Sequence, residues 1–90
     1  MFNLETYTIL VVDDFAQMRS TCRRMLQDFN PAKVDACGNG DEAIELMHKN
    51  SYDVVLCDYN LGAGKDGQQV LEEARHEGIL DYASIFIMIT

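Results

Sequence analysis

Basic residues are scarce in this chain. Its 90 residues include 7 Lys and Arg against 15 Asp and Glu, which gives a formal net charge of -8. A field of that sign repels the phosphates of nucleic acids and the head groups of anionic membranes. The composition therefore argues against direct binding to nucleic acid or to a membrane surface. It favours cations, or basic surfaces on a protein partner.

Long apolar runs and a cysteine framework are also missing. The first residues lack a basic stretch followed by an apolar one, so no secretory signal peptide is expected. The longest apolar runs have the length of a strand and fall far short of a membrane span. The three cysteines, Cys22, Cys37 and Cys57, form no CxxC pair. An odd count without such a pair predicts buried free thiols in a reducing compartment, the cytoplasm.

Strand-length and helix-length patterns alternate along the chain. Continuous aliphatic runs predict buried strands, and apolar residues at helical spacing predict amphipathic helices between them. The predicted strands are residues 8–12, 34–37, 53–57 and 84–89, and the predicted helices are 15–29, 39–48 and one that follows the loop 58–67 and ends near residue 78. This βαβαβαβ order predicts one α/β domain, a doubly wound parallel sheet with helices on both faces.

The helices carry their own start and stop signals. The first is predicted to bury a stripe made of Met18, Cys22, Met25, Leu26 and Phe29. Asn30 and Pro31 end it, because the residue before a proline avoids helical geometry. The second helix is predicted to begin with Asn39 as its N-cap and Glu42 at the third helical position.

Polar residues follow three of the four predicted strands at their carboxyl ends. Asp13 and Asp14 follow the first strand, Asp58 the third and Thr90 the fourth. In an open parallel sheet these ends gather at one edge, where ligands bind. Carboxylates brought together there repel one another unless a hard divalent cation neutralises them. The pattern predicts a Mg²⁺ site that also accommodates a phosphoryl group under attack by a carboxylate.

Plainer interpretations compete at single positions. Asp14 is also a suitable helix N-cap, and Asp58 alone is compatible with a turn. A cap needs only one acid, so the grouping on successive strand ends favours the metal and phosphoryl interpretation. Lys65 is interpreted as a solvated loop charge. The glycine-rich loop around it contains no GKS or GKT, which excludes a nucleotide P-loop.

Taken in order and at their spacings, these features resemble the receiver domain of two-component response regulators. The features that carry the resemblance are Ile9-Leu10-Val11-Val12-Asp13-Asp14, Asp58 after Val54-Val55-Leu56-Cys57, Asp66-Gly67 opening the third helix, and Thr90 closing a strand. Together they cover essentially the whole chain. The resemblance implies a flavodoxin-like sheet with strand order 2-1-3-4.

The resemblance also implies roles for individual residues. Asp58 would be the nucleophile that accepts a phosphoryl group from the phosphohistidine of a sensor histidine kinase or phosphotransfer protein. Asp13, Asp14, Asp58 and the backbone carbonyl of Asn60 would bind Mg²⁺, and the Asn60 side chain would influence how fast water removes the phosphate. The Thr90 hydroxyl would hydrogen-bond a phosphoryl oxygen. Such a domain is a signalling phosphoacceptor and not a conventional enzyme.

The chain departs from the family pattern in two places. The loop after Asp58 has no proline and is one residue longer than usual, and its three glycines suggest a mobile loop. Residues 1–90 are also expected to be a partial receiver domain without the last helix, strand and helix. The lysine and switch aromatic of the fifth strand would then be absent.

This expected truncation predicts self-association. The fourth strand, with Ile85, Phe86, Ile87 and Met88, would be an apolar strand at the edge of the sheet. We therefore expect the 90-residue chain to dimerise, exchange segments or aggregate. We also expect it to be phosphorylated poorly without the lysine. A monodisperse monomer by light scattering would contradict the first of these expectations.

Two other functions compete with the phosphoacceptor hypothesis. A degenerate receiver would act only as a protein-interaction module, and failure to bind Mg²⁺ would favour it. A Mg²⁺-dependent phosphohydrolase with an aspartyl-phosphate intermediate is disfavoured, because enzymes resembling the haloacid dehalogenases carry DxD where this chain has Asp13-Asp14. Sustained turnover of a small phosphomonoester would favour the phosphohydrolase.

Overall fold

Strands and helices alternate throughout the computed structural model, which describes residues 6–80 and 84–89. The elements are β1 (Thr8–Val12), α1 (Ala16–Gln27), β2 (Lys33–Cys37), α2 (Gly40–Lys49), β3 (Val54–Asp58), α3 (Gly67–His76) and β4 (Ile85–Ile89). Every predicted strand and helix is confirmed, with ends that differ by one or two residues. None of the described helices combines the length and the apolar character that a membrane crossing requires.

The four strands form one parallel sheet in the order β2-β1-β3-β4, which confirms the predicted order. The register sets Val12 beside both Cys37 and Cys57, and Asp58 beside Ile89. The carboxyl ends of the strands therefore lie level with one another and form a single rim. The candidate site is built on this rim.

Helices cover both faces of the sheet, as predicted. On one face α2 and α3 pack over side chains that include Leu10 and Val55, both 0% exposed. On the other face α1 packs over Ile9, Val11 and Val34. Since successive side chains of a strand point to opposite faces, a strand covered on both sides needs an unbroken apolar run. This requirement explains the composition of β1.

The predicted inner face of α1 is partly wrong. Cys22 and Leu26 pack against the β1–β2 side of the sheet. However, Met18, Met25 and Phe29 are 46%, 61% and 43% exposed. The reason is geometric, because α1 is the one described helix on its face and meets the sheet along a narrow line.

Both helices on the other face begin at the rim with strong caps. The Asn39 side chain accepts a hydrogen bond from the Glu42 N–H at 2.9 Å and donates one to the Glu42 carboxylate at 2.8 Å, which confirms the predicted cap. Asp66 and Gln69 form a reciprocal capping box at the start of α3. These caps fix the first turns of α2 and α3 beside the site.

The edge of the described sheet is apolar. Phe86 on β4 packs into the core under α2 and α3. Its neighbours Ile85, Ile87 and Ile89 point to the α1 face and are 54%, 44% and 48% exposed. This exposure supports the expected self-association of the 90-residue chain, which stays a prediction.

Candidate metal and phosphoryl site

Three carboxylates meet on the rim. Asp13 and Asp14 directly follow β1, and Asp58 is the last residue of β3. One carboxylate oxygen from each residue lies within 4.8 Å of the other two. The cluster arises because β1 and β3 are neighbours in the sheet and end at the same level. The structure thus brings together the three acids that the sequence singled out.

Asp13 is held from two sides through its backbone. Its N–H donates to the Cys37 carbonyl at 3.1 Å, and its own carbonyl accepts a hydrogen bond from Arg19 Nη1 at 2.7 Å. Its Oδ1 accepts a hydrogen bond from the Phe15 N–H at 2.9 Å. These contacts tie the end of β1 to β2 and α1, so the carboxylate projects from a fixed point.

Asp14 has no capping role. The N-cap of α1 is Phe15, which makes no side-chain capping hydrogen bond. The interpretation of Asp14 as a helix cap is therefore wrong. Its carboxylate is exposed at the rim, where it is available to a ligand.

The loop after Asp58 folds back over the carboxylates through two side-chain turns. Asp58 Oδ1 accepts a hydrogen bond from the Asn60 N–H, and Asn60 Oδ1 accepts one from the Gly62 N–H, each at 3.2 Å. Gly62 has a positive φ of 75°, and a Cβ at this position would lie 3.0 Å from Asp14 Oδ2. The positive φ favours glycine at this position, and the loop passes close to the Asp14 carboxylate.

No described cation pairs with the three carboxylates. The Arg19 guanidinium donates to a main-chain carbonyl, and the Lys65 ammonium binds acids elsewhere. One oxygen of each clustered carboxylate lies within 4.8 Å of the others, and two unit charges at that distance repel each other by on the order of 1 kcal/mol even in water. The described part of the chain therefore concentrates negative charge at the rim without supplying a counter-ion.

The buried thiols next to the cluster stay protonated and are poor nucleophiles. Burial, helped by the nearby negative charge of Asp58, raises the pKa of the Cys57 thiol to about 12. Burial also raises the pKa of Cys37 to about 11. Because the thiolate is the reactive form, neither residue competes with Asp58 as a nucleophile. The prediction of buried free thiols is confirmed for these two, whereas Cys22 is half-buried.

Lys65 differs from its predicted role. The interpretation of Lys65 as a solvated loop charge is wrong, because its side chain is only 25% exposed. Its ammonium lies 3.0 Å from Asp41 Oδ1 and 2.7 Å from Glu73 Oε1. Glu73 lies in the helix that follows the loop, whereas Asp41 is distant in sequence and reaches Lys65 because α2 packs beside α3.

The predicted roles of two site residues, Asn60 and Thr90, stay predictions. Asn60 is exposed and lies in the loop beside Asp58, and the metal-binding role of its carbonyl stays a prediction. Thr90 lies outside the described residues. Its predecessor Ile89 pairs with Asp58 in the sheet, and the Ile89 carbonyl accepts a hydrogen bond from the Tyr59 N–H at 2.7 Å.

Comparison with known proteins agrees with this geometry. Residues 9–90 match the family model of the response regulator receiver domain. The chain belongs to the response regulator receiver family. Chemotaxis protein CheY of Pseudomonas aeruginosa is 28% identical over 82 residues, which cover 91% of this chain and 64% of that protein. CheY-3 of Vibrio cholerae is 30% identical over 82 residues, which cover 91% of this chain and 62% of that protein.

The family membership describes a domain and not a whole relative. The chain spans 64% and 62% of the length of these two relatives. A solved structure with the same fold is the receiver domain of the histidine kinase CKI1 from Arabidopsis thaliana, complexed with Mg²⁺ and BeF₃⁻. The two share 21% identity and a TM-score of 0.82, over 94% of this chain and 67% of that chain. Receiver domains of this kind are signalling domains of two-component systems.

Proposed function

We propose that Asp58 accepts a phosphoryl group from the phosphohistidine of a sensor histidine kinase or phosphotransfer protein, in a Mg²⁺-dependent reaction in the cytoplasm. The observation that carries the proposal is the rim cluster. Asp58 is half-buried, and its carboxylate lies within 4.8 Å of those of Asp13 and Asp14. Membership of the receiver family supports the kinase as donor.

The donor set fits Mg²⁺. Asp13, Asp14 and Asp58 offer hard anionic oxygens, and no described cation neutralises them. Mg²⁺ is bound by one or two carboxylates, keeps several waters and accepts phosphate oxygens as ligands. The carbonyl of Asn60 is proposed as a further ligand. When bound, the ion would offset charge on the carboxylates and on the oxygens of the transferred group.

The chain's own groups orient the nucleophile. The Asn60 N–H occupies Asp58 Oδ1, which leaves Oδ2 to form the bond to phosphorus. As that O–P bond forms, the N–P bond of the phosphohistidine breaks and the imidazole nitrogen keeps the electron pair. The Thr90 hydroxyl is proposed to donate a hydrogen bond to a phosphoryl oxygen.

The competing functions are less well supported. The match to the receiver family disfavours a phosphohydrolase. The presence of all three carboxylates in one cluster disfavours a degenerate interaction module. That alternative makes a separate prediction, since it requires neither Mg²⁺ binding nor a phosphorylated residue.

The proposal is tested by locating the phosphate. Incubation of the full-length protein with Mg²⁺ and a small phosphodonor is expected to add one phosphate per molecule by intact mass, and chelation of the metal is expected to prevent it. Borohydride reduces an aspartyl phosphate to homoserine, so peptide mapping then identifies the modified residue. We expect that residue to be position 58. Phosphate on another residue, or none in saturating Mg²⁺, would contradict the proposal.

A further inference from the structure

We propose that Lys65 is a positioning residue for the phosphoacceptor loop, residues 59–66, and that it acts by tying this loop to α2 and α3. The inference rests on the proposed function of Asp58, because that function defines what the loop serves. Its basis is the set of contacts that Lys65 makes.

The Lys65 ammonium links three segments of the chain. Asp41 lies in the first turn of α2 and Glu73 in the middle of α3, and the ammonium lies within 3.0 Å and 2.7 Å of their carboxylates. Hydrogen bonds to Glu73 and Asp41 raise the pKa of Lys65 to about 12. The hydrogen bond from Lys65 likewise lowers the pKa of Glu73. Lys65 therefore stays charged, and both pairs persist, throughout the neutral range.

The aliphatic stem of Lys65 occupies a slot made by a missing side chain. Gly40, the first residue of α2, is buried. A Cβ at Gly40 would lie 3.1 Å from both Cγ and Cδ of Lys65 and 2.8 Å from Val70 Cγ2. The absent side chain at Gly40 thus lets the lysine stem lie against the helix. This contact distinguishes Lys65 from a surface lysine that reaches out to an acid.

The loop depends on such an anchor between two fixed points. Leu61 is 3% exposed and packs into the core, and Asp66 is fixed by the capping box of α3. Between them Gly62 and Gly64 have positive φ angles of 75° and 91°, and nothing lies within 4 Å of a Cβ built at Gly64. Glycines at these positions leave the unfolded loop with wide conformational freedom. Between Leu61 and Asp66, the Lys65 side chain ties the loop to Asp41 and Glu73 on the two helices.

The anchored stretch carries contacts to the candidate site. Gly62 lies against Asp14, and the Gly62 N–H fixes the side chain of Asn60. Release of Lys65 would free this part of the loop to move away from the carboxylates. The expected consequence is weaker Mg²⁺ binding without loss of the fold.

The test compares Lys65→Met with Lys49→Met. Both variants replace an ammonium with an apolar group of similar length. Lys49 pairs with Glu45 at 3.0 Å, but both side chains are 67% exposed and lie in the last turns of α2, away from the rim. The measurements are amide hydrogen exchange in residues 59–64, Mg²⁺ affinity by calorimetric titration, and the unfolding temperature.

Lys65→Met is expected to speed amide exchange in the loop and to weaken Mg²⁺ binding by about 3- to 10-fold, the range that two partly exposed ion pairs provide. Lys49→Met is expected to change neither quantity. Lys65→Arg, which keeps the charge, is expected to restore most of both. Equal loop exchange in Lys65→Met and Lys49→Met would overturn the inference.

Further outcomes separate this inference from the proposed function. If the unmodified chain binds no Mg²⁺ and accepts no phosphate, the proposed function fails, and hydrogen exchange alone still decides the role of Lys65. If Lys65→Met does not fold, Asp41→Asn replaces it, because Asp41 is 85% exposed and its loss spares the core. A smaller rise in loop exchange in Asp41→Asn supports the inference, and no rise contradicts it.

Discussion

Asp58→Asn is expected to abolish phosphorylation by a small phosphodonor and to stabilise the metal-free protein at the same time. The amide has no anionic oxygen with which to attack phosphorus. The substitution also removes one of three clustered negative charges that no described cation offsets. Relief of two repulsions is expected to raise the free energy of unfolding by about 1–2 kcal/mol, given the size of such interactions near water.

Mg²⁺ is expected to reverse this order of stability. An ion that binds only the folded state stabilises it in proportion to the logarithm of its concentration over Kd. The unmodified chain should gain stability as Mg²⁺ is added, whereas Asp58→Asn, with one carboxylate fewer, should gain less. The unmodified chain is therefore expected to unfold at a lower urea concentration than Asp58→Asn in chelator, and at a higher urea concentration than Asp58→Asn in saturating Mg²⁺.

Asp28→Asn is the matched control for this experiment. Asp28 is exposed at the C-cap of α1, at the end of the helix remote from the rim. The same change of charge there should leave both phosphorylation and the response to Mg²⁺ unaltered. A phosphorylated Asp58→Asn protein would show that another residue accepts the phosphate. An Asp58→Asn protein less stable than the unmodified chain in chelator would show that the three carboxylates do not repel one another as described.

The fold was predictable because each strand and helix has its own local sequence pattern. Buried parallel strands require unbroken apolar runs, and β1 and β3 have them. The cap at Asn39 was visible for the same reason, since its partner Glu42 is three residues away. The burial of α1 was less predictable. Helical spacing identifies an apolar stripe, but the exposure of Met18 and Met25 depends on which elements lie beside the helix.

The grouping of the three carboxylates was predictable from the order and direction of the strands alone. Once β1 and β3 are parallel neighbours, residues at their carboxyl ends must be close, and Asp13, Asp14 and Asp58 follow. The contact of Lys65 with Asp41 was not predictable, because it depends on how α2 packs beside α3. The Gly62 contact with Asp14 depends in the same way on the path of a loop.

Gly67→Ala is expected to destabilise the protein by about 1–3 kcal/mol, the usual cost of an extra methyl group in a packed region. A Cβ at Gly67 would lie 2.6 Å from the Asp58 carbonyl oxygen, 2.6 Å from Met88 Sδ and 2.9 Å from Tyr59 Cα. Two of these three atoms are backbone and cannot rotate away. The added methyl group would have to displace the end of β3, which carries the phosphoacceptor, so slower phosphorylation should accompany the loss of stability.

The direction of the expected stability change in Gly67→Ala makes the test decisive. Gly67 is the first residue of α3, where alanine would ordinarily be tolerated at least as well as glycine, because glycine loses more conformational freedom on folding. Gly38→Ala is the comparison at the same rim for stability alone, because its Cβ would meet only side-chain atoms of Arg19, the nearest being Nη1 at 3.0 Å, which also donates to the Asp13 carbonyl. Urea unfolding should show a clear loss for Gly67→Ala and a change within about 0.5 kcal/mol for Gly38→Ala. If Gly67→Ala proved as stable as the unmodified chain, α3 would not approach Asp58 this closely, and the glycine would owe its place to something other than packing.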